Sequence, residues 1–249
     1  MIVRSIEAGW EIVFQSAHAL LAGQIATYLR RPQTTRYWME TLAAIVDHDE
    51  LKASFGTNVY LTELGAPKDF TQFHFKAREQ YDEVRRRIDN GYRNHRWIGL
   101  LATRHAEELY GREIVSKKLD VLLKSERQKR ADVLLELKTS EEALENAYAT
   151  FQWCDRASLI LCQKALPAMH RRLEIAPLGD RKRYEIWEQE ENSLVVEPWP
   201  FDCDKFEVHV EVRTVEQMTF ANDRELEHCL RGGAIEERSW TIQKNDSLS

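Results

Sequence analysis

The hydrophobic positions change period along the chain, and the changes mark its elements. Met1 to Ile6 and Trp10 to Phe14 read as strands, with Glu7-Ala8-Gly9 as the turn between them. Ser16 can cap a helix in which His18, Leu21, Ala22, Ile25 and Leu29 recur at helical spacing until Arg31-Pro32. A second helix is predicted over Thr34 to Asp49, with an inward stripe of Trp38, Leu42 and Ile45. Residues 51–69, containing Gly56, Gly65 and Pro67, form a long connection of the kind that is usually functional or mobile. Helical pattern resumes with Phe70, Phe73, Ala77, Tyr81, Val84 and Ile88, and Asn90-Gly91 predicts its break. The next helix covers Asn94 to Tyr110, with Ile98, Leu101, His105 and Leu109 on one face and Gly111 as the stop. Residues 113–137 form a charged amphipathic helix. Its middle, Lys124 to Arg130, has no apolar position and is expected to lie in solvent. Thr139 and Glu142 fit a capping box for a long helix over Ser140 to Ala165, striped by Tyr148, Phe151, Asp155, Leu159, Cys162 and Leu166.

After Pro177-Leu178-Gly179-Asp180 the period becomes alternating. Tyr184–Glu188, Leu194–Trp199, Phe206–Val215 and Ile235–Gln243 read as strands, interrupted by a short helix over Asp223–Leu230. The expected architecture is mainly α: a helical bundle over 15–180, with a small antiparallel β-sheet, built from residues 1–14 and 181–249, packed on it. Chain ends often lie close together, so the N-terminal hairpin is expected to join the C-terminal strands.

Composition supports long helices. Ten glycines and six prolines are about 6% of the chain, against roughly 12% in an average protein. The formal charge is −6, from 35 basic and 41 acidic residues. That mild, dispersed acidity does not point to nucleic acid or anionic lipid. No segment reaches the ~18 apolar residues that cross a bilayer, and the N-terminus lacks a signal-peptide pattern. Cys154, Cys162, Cys203 and Cys229 form no Cys-x-x-Cys pair, which favours free thiols in a reducing cytoplasm.

The candidate chemistry lies on the helix stripes. His18, His105 and Asp155 occupy inward positions, and the second helix ends in His48-Asp49. A carboxylate on a buried stripe must be paired, neutralised or bound to metal. Helices packed side by side can bring His18, His48, Asp49, His105 and Asp155 to one point. That mixture of imidazole and carboxylate suits one or two divalent ions (Mn, Fe, Zn, Mg or Ni). Arg104 and Arg156 adjoin two of these positions and can offset phosphate charge, as can Lys52. His74 is a weaker ligand candidate. His95 is expected to be a surface or capping residue, and His170, His209 and His228 structural or exposed. There is no Gly-rich phosphate loop, nucleophile elbow or dinucleotide fingerprint. Trp199-Pro200-Phe201 is expected to fill a sheet–helix interface, with an oligomer contact, such as a homodimer, as the alternative.

The succession His18, His48-Asp49, Asp155 resembles the pattern of the HD-domain superfamily, with His105 as the extra histidine of dinuclear members. A closer resemblance runs along nearly the whole chain. It is carried by Met1-Ile-Val-Arg4, Gln15-Ser-Ala-His-Ala-Leu-Leu-Ala-Gly23, Ala44-Ile-Val-Asp-His-Asp49, Leu100-Leu-Ala-Thr-Arg-His105, Asp155-Arg-Ala-Ser-Leu-Ile-Leu-Cys162 and Pro198-Trp-Pro-Phe201. These pieces are similar to a bacterial family known as domain of unknown function 3891. The chain departs from that family at Glu50-Leu51-Lys52, where the family tends to have Gly-Trp. That family has no established reaction; the HD-domain resemblance is what implies a metal-dependent phosphohydrolase. Its metal ligands would be His18, His48, Asp49, His105 and Asp155, and its catalytic residues Asp49, Arg104 and Arg156. The substrate would be a small phosphate compound or nucleotide. Two alternatives stand beside it: an HD-like di-iron oxygenase, and a binding or scaffold protein with a relic site.

Overall fold

The computed structural model describes residues 1–31, 36–49, 60–71, 77–111 and 116–245, with the backbone alone for 77–79. The N-terminal hairpin is β1 (Ile2–Ile6) and β2 (Gly9–Val13). Six helices follow: α1 (Gln15–Tyr28), α2 (Trp38–Asp47), α3 (Ala77–Asn94), α4 (Arg96–Tyr110), α5 (Lys117–Glu136) and α6 (Glu141–Cys162). The remainder is β3 (Leu173–Glu174), β4 (Glu185–Glu190), β5 (Ser193–Glu197), β6 (Lys205–Val215), α7 (Asp223–Gly232) and β7 (Ala234–Gln243).

The expectation of a mainly α bundle with a small appended antiparallel sheet is overturned. The strands form one seven-stranded sheet in the order β1-β2-β6-β7-β5-β4-β3, curved into a mixed half-barrel. Its centre is long, with 11 residues in β6 and 10 in β7. The mixed pairing has a simple cause. β7 is inserted between β5 and β6, which run in opposite directions. It is therefore antiparallel to β6 and parallel to β5. The hairpin does share this sheet, because Trp10–Ile12 pair with Arg213–Val215.

Sheet and helices share one core. Phe206, Val208, Val210 and Val212 of β6 point one way and pack in the same cluster as Leu21 and Ile25 of α1 and Phe151 and Trp153 of α6. The opposite face of β6 exposes Glu207, His209 and Glu211, which is the alternation a half-solvated strand requires. Where β2 ends, Gln24 of α1 takes over its hydrogen bonding. Its amide donates to the His209 carbonyl and accepts from the His209 N–H, each at 3.0 Å. Trp199 and Phe201 are packed on this core, with Phe201 ring centroids 4.6 Å from Phe206 and 5.8 Å from Trp153.

Several local expectations shift. Phe14, not Ser16, precedes the first turn of α1, and no side chain caps it. Asn90-Gly91 does not break α3, which runs on to Asn94. Gly91 lies against Gly99 of α4, where an added Cβ would sit 3.0 Å from the Gly99 Cα. Leu109 is exposed at the end of α4. Lys124–Arg130 is not wholly solvated, because Glu126 and Arg130 are buried. Ser140 itself caps α6, accepting from the Ala143 N–H. No helix among the described residues is long and apolar enough to cross a membrane.

Candidate metal centre

Four helices converge on one polar cluster. His18 is fully buried on α1, where the apolar stripe of that helix meets the core. His48 is the C-terminal cap of α2, and Asp49 follows it as the chain leaves the helix. Asp155 is carried by α6, one turn before the buried Ser158. His105 of α4 flanks the cluster, its ring centroid 5.7 Å from that of His48.

The nitrogens and carboxylate oxygens face each other closely. His18 Nε2 lies 2.8 Å from Asp49 Oδ2, and His48 Nε2 lies 3.8 Å from the same oxygen. His48 Nε2 is 3.2 Å from Asp155 Oδ1. One ligand atom each from His18, His48 and Asp49 falls within 4.8 Å of the others. Ligand atoms at about 2.1 Å from one ion lie at most about 4.2 Å apart, so the measured separations need little adjustment.

The outer contacts of the histidines decide where their ring protons sit. The Ser158 hydroxyl donates to the Asp155 carbonyl at 2.8 Å. Its oxygen is then an acceptor for His18 Nδ1, 3.2 Å away. His48 Nδ1 lies 2.6 Å from the Ile45 carbonyl, which only accepts. Both rings therefore carry hydrogen at Nδ1, and each Nε2 faces a carboxylate oxygen. Metal-bound histidines characteristically use their second nitrogen in this way. Lone pair against carboxylate is unfavourable unless a proton or a cation lies between them. Asp155 Oδ1 is buried and makes no well-directed hydrogen bond among the described residues, although His48 Nε2 is 3.2 Å away, and a cation between them would satisfy both. The donor set, two imidazoles and two carboxylates, fits zinc, manganese, iron or nickel.

Electrostatics express the same demand. Burial by itself would lower the His48 pKa, but Asp155 and then Asp49 hold it up at about 9. Burial opposes ionisation of Asp49, yet His48, His18 and Arg87 hold its pKa well below the usual carboxylate range. Asp155 is lowered, against burial, chiefly by His48. His105 is pushed down to about 3, first by burial and then by the His48 charge. It is a neutral ring, with Nδ1 3.4 Å from the Tyr148 hydroxyl.

A cavity of about 90 Å³ opens beside the cluster. Its walls include His48, His105 and Phe151 on one side and Arg87, Asn90 and Asn94 of α3 on the other. That volume holds several waters or a small oxyanion.

His18, His48, Asp49 and Asp155 thus come together, with His105 at their edge. The two proposed phosphate-binding arginines do not join them. Arg104 donates to Glu145 at 2.9 Å and to Glu108 at 3.3 Å, with its guanidinium 4.4 Å from the Tyr148 ring centroid. Arg156 is exposed. Successive residues of a helix diverge by about 100°, so adjacency to a ligand in sequence directs these side chains elsewhere. Lys52 and His74 lie outside the described residues. His95 caps α4 by accepting from the Trp97 N–H. Sequence reading missed Arg87, which donates through Nη2 to Asp49 Oδ1 at 2.9 Å and to Glu83 Oε1 at 2.8 Å. It also missed Gln15, 3.4 Å from Asp49 Oδ2, and Ser158. The available signal for Arg87 was its Glu83 partner at i−4; for Ser158, its place one turn after Asp155.

Fold and cluster together define an α+β protein with a candidate divalent-metal centre built on His18, His48 and Asp49, with Asp155 beside His48. The chain belongs to the family described as protein of unknown function (DUF3891), whose model matches residues 1–217. That span takes in the four cluster residues, all the helices around them and the first six strands. No curated protein and no solved structure matches the chain.

Proposed function

We propose that the cluster binds a divalent metal ion and that the protein uses it to hydrolyse a phosphate ester or anhydride of a small molecule or nucleotide. The carrying observation is the pair of Nδ1-anchored histidines whose Nε2 atoms face Asp49 and Asp155. His18, His48, Asp49 and Asp155 would hold the ion, and His105 would complete or extend the set. A divalent ion supplies Lewis acidity there, acidifying a water and polarising a phosphoryl oxygen. The order His18, His48-Asp49, Asp155 across three helices is the HD-type order, and it favours hydrolysis of phosphate compounds as the reaction class. Arg87 and the Asn90 and Asn94 amides on the cavity wall would take the oxyanion role first assigned to Arg104 and Arg156. His105, uncharged, presents a neutral hydrogen-bonding ring to the same cavity.

Elemental analysis of the purified chain, followed by assay on phosphomonoesters, phosphodiesters and nucleotides, tests this. We expect bound transition metal and turnover that is lost with chelator and in the His48→Ala, Asp49→Ala double variant. Folded protein that neither contains nor binds metal overturns the reading. Iron cycling between two oxidation states with oxygen uptake would replace hydrolysis with oxidation.

A further inference from the structure

We propose that Arg87 and Glu83 are positioning residues that confine Asp49 to a single oxygen toward the metal, so that the centre selects transition ions over calcium. The inference rests on the metal reading above. The two oxygens of Asp49 have separate surroundings. Oδ2 faces His18 Nε2 at 2.8 Å and His48 Nε2 at 3.8 Å. Oδ1 faces away, accepting from Arg87 Nη2 at 2.9 Å. The same Nη2 is held by Glu83 Oε1 at 2.8 Å, one turn back on α3.

These groups are largely shielded from water, with side-chain exposures of 13% for Arg87, 9% for Glu83 and 7% for Asp49. Turning Asp49 to present both oxygens to an ion would strip the largely buried Arg87 of one of its two carboxylates. Removing one partner of a buried pair is strongly unfavourable. The arginine fork therefore acts as a stop on the Asp49 torsion, and Glu83 holds the fork. Asp155 likewise turns one oxygen, Oδ1, toward His48. The donor set is two imidazole nitrogens and two single carboxylate oxygens. Calcium takes six to eight oxygens and commonly uses two-oxygen carboxylates. Nitrogen donors in a small set favour zinc, manganese, iron or nickel.

The test compares wild type with Arg87→Met, which keeps an apolar stem, and Arg87→Lys, which keeps the charge. Zinc and calcium affinities are read by competition with a chromophoric chelator, and folding by circular dichroism and thermal melting. We expect wild type to prefer zinc strongly. Arg87→Met should weaken zinc binding by about 10- to 100-fold, the usual effect of losing a ligand's outer partner, and narrow the zinc–calcium gap. Arg87→Lys should recover most of the loss. A merely structural Arg87 would lower the melting temperature of Arg87→Met and leave the zinc affinity of the folded variant unchanged, and that result overturns the inference. If wild type itself binds no metal, the metal reading fails first, which is a distinguishable outcome. Should Arg87→Met not fold, a crystal structure of zinc-loaded wild type decides. Asp49 reaching zinc through Oδ2 alone, with Oδ1 still on Arg87, supports the stop; both oxygens on zinc overturns it.

Discussion

Two clusters of buried charge among the described residues solve the same problem differently. Between α4, α5 and α6, Arg130 donates to Glu107 at 2.6 Å and to Glu141 at 3.1 Å. Arg127 joins Glu107, and Lys129 joins Glu126. Three cations there meet three carboxylates. Around His18 and His48 the balance is absent. Among the described residues, Asp49 and Asp155 are set against the two histidines and one permanent cation, Arg87, which Asp49 shares with Glu83. A network of matched charges needs no further cation. An open one must recruit positive charge, as a proton on His48 or as a metal ion. Buried charge by itself is thus no sign of function; unbalanced buried charge is.

The sharpest way to break this contrast is to open the closed network. Arg130→Met leaves Glu107 buried and short of a partner, and should cost about 3 kcal/mol in denaturant unfolding, the lower end for breaking a buried pair. Metal affinity should not change. Next in size is the response of the open cluster to its missing charge. Zinc at about 100 times its dissociation constant should stabilise wild type by about 2.7 kcal/mol, seen as a rise in melting temperature that chelator reverses. A flat response would place both clusters in the same structural class.

A third charge centre calibrates the scale. Glu11 of β2 meets Arg4 at 3.0 Å, Arg238 at 2.7 Å and Lys164 at 3.3 Å. Burial opposes its ionisation, but Arg238 and then Lys164 lower its pKa below 4.5. A carboxyl whose pKa falls on folding stabilises the protein above its unfolded value, and that contribution is lost as pH drops through the folded value. Glu11 is partly solvated, so Glu11→Gln should cost only about 1 kcal/mol at pH 7. The gap to wild type should close on acidification below pH 4.5. Stability measured across that range checks it.

The helices were legible because each stripe keeps a helical period, and the cluster was legible because polar residues interrupt those stripes. What escaped depends on partners distant in the chain. Asn90-Gly91 carries a turn signal, yet close packing against Gly99 keeps the helix intact. Lys124–Arg130 shows no apolar position, yet Glu126 and Arg130 within it are buried, held by ion pairs. The sheet reads locally as separate strands, and nothing local reports that β7 enters between β5 and β6. Arg87 stands in the run Arg85-Arg86-Arg87, and only the tertiary placing of α3 beside Asp49 selects which arginine meets it.

The smallest expected stability change is also the most telling. Asp155 Oδ1 is buried with no well-directed hydrogen bond among the described residues, although His48 Nε2 is 3.2 Å away, and its charge adds to that of Asp49 nearby. Asp155→Asn keeps the shape and removes that charge, which relieves desolvation and repulsion. It also removes the attraction that helps hold the His48 proton. The two effects oppose one another, so metal-free stability should move by no more than about 1 kcal/mol. Zinc stabilisation, in contrast, should disappear. Denaturant unfolding with and without zinc reads both quantities on the same variant. A metal-free loss as large as that of Arg130→Met would mean that Asp155 is an ordinary member of a closed network. Little loss without zinc, and no gain with it, would mean that the carboxylate is kept for a cation.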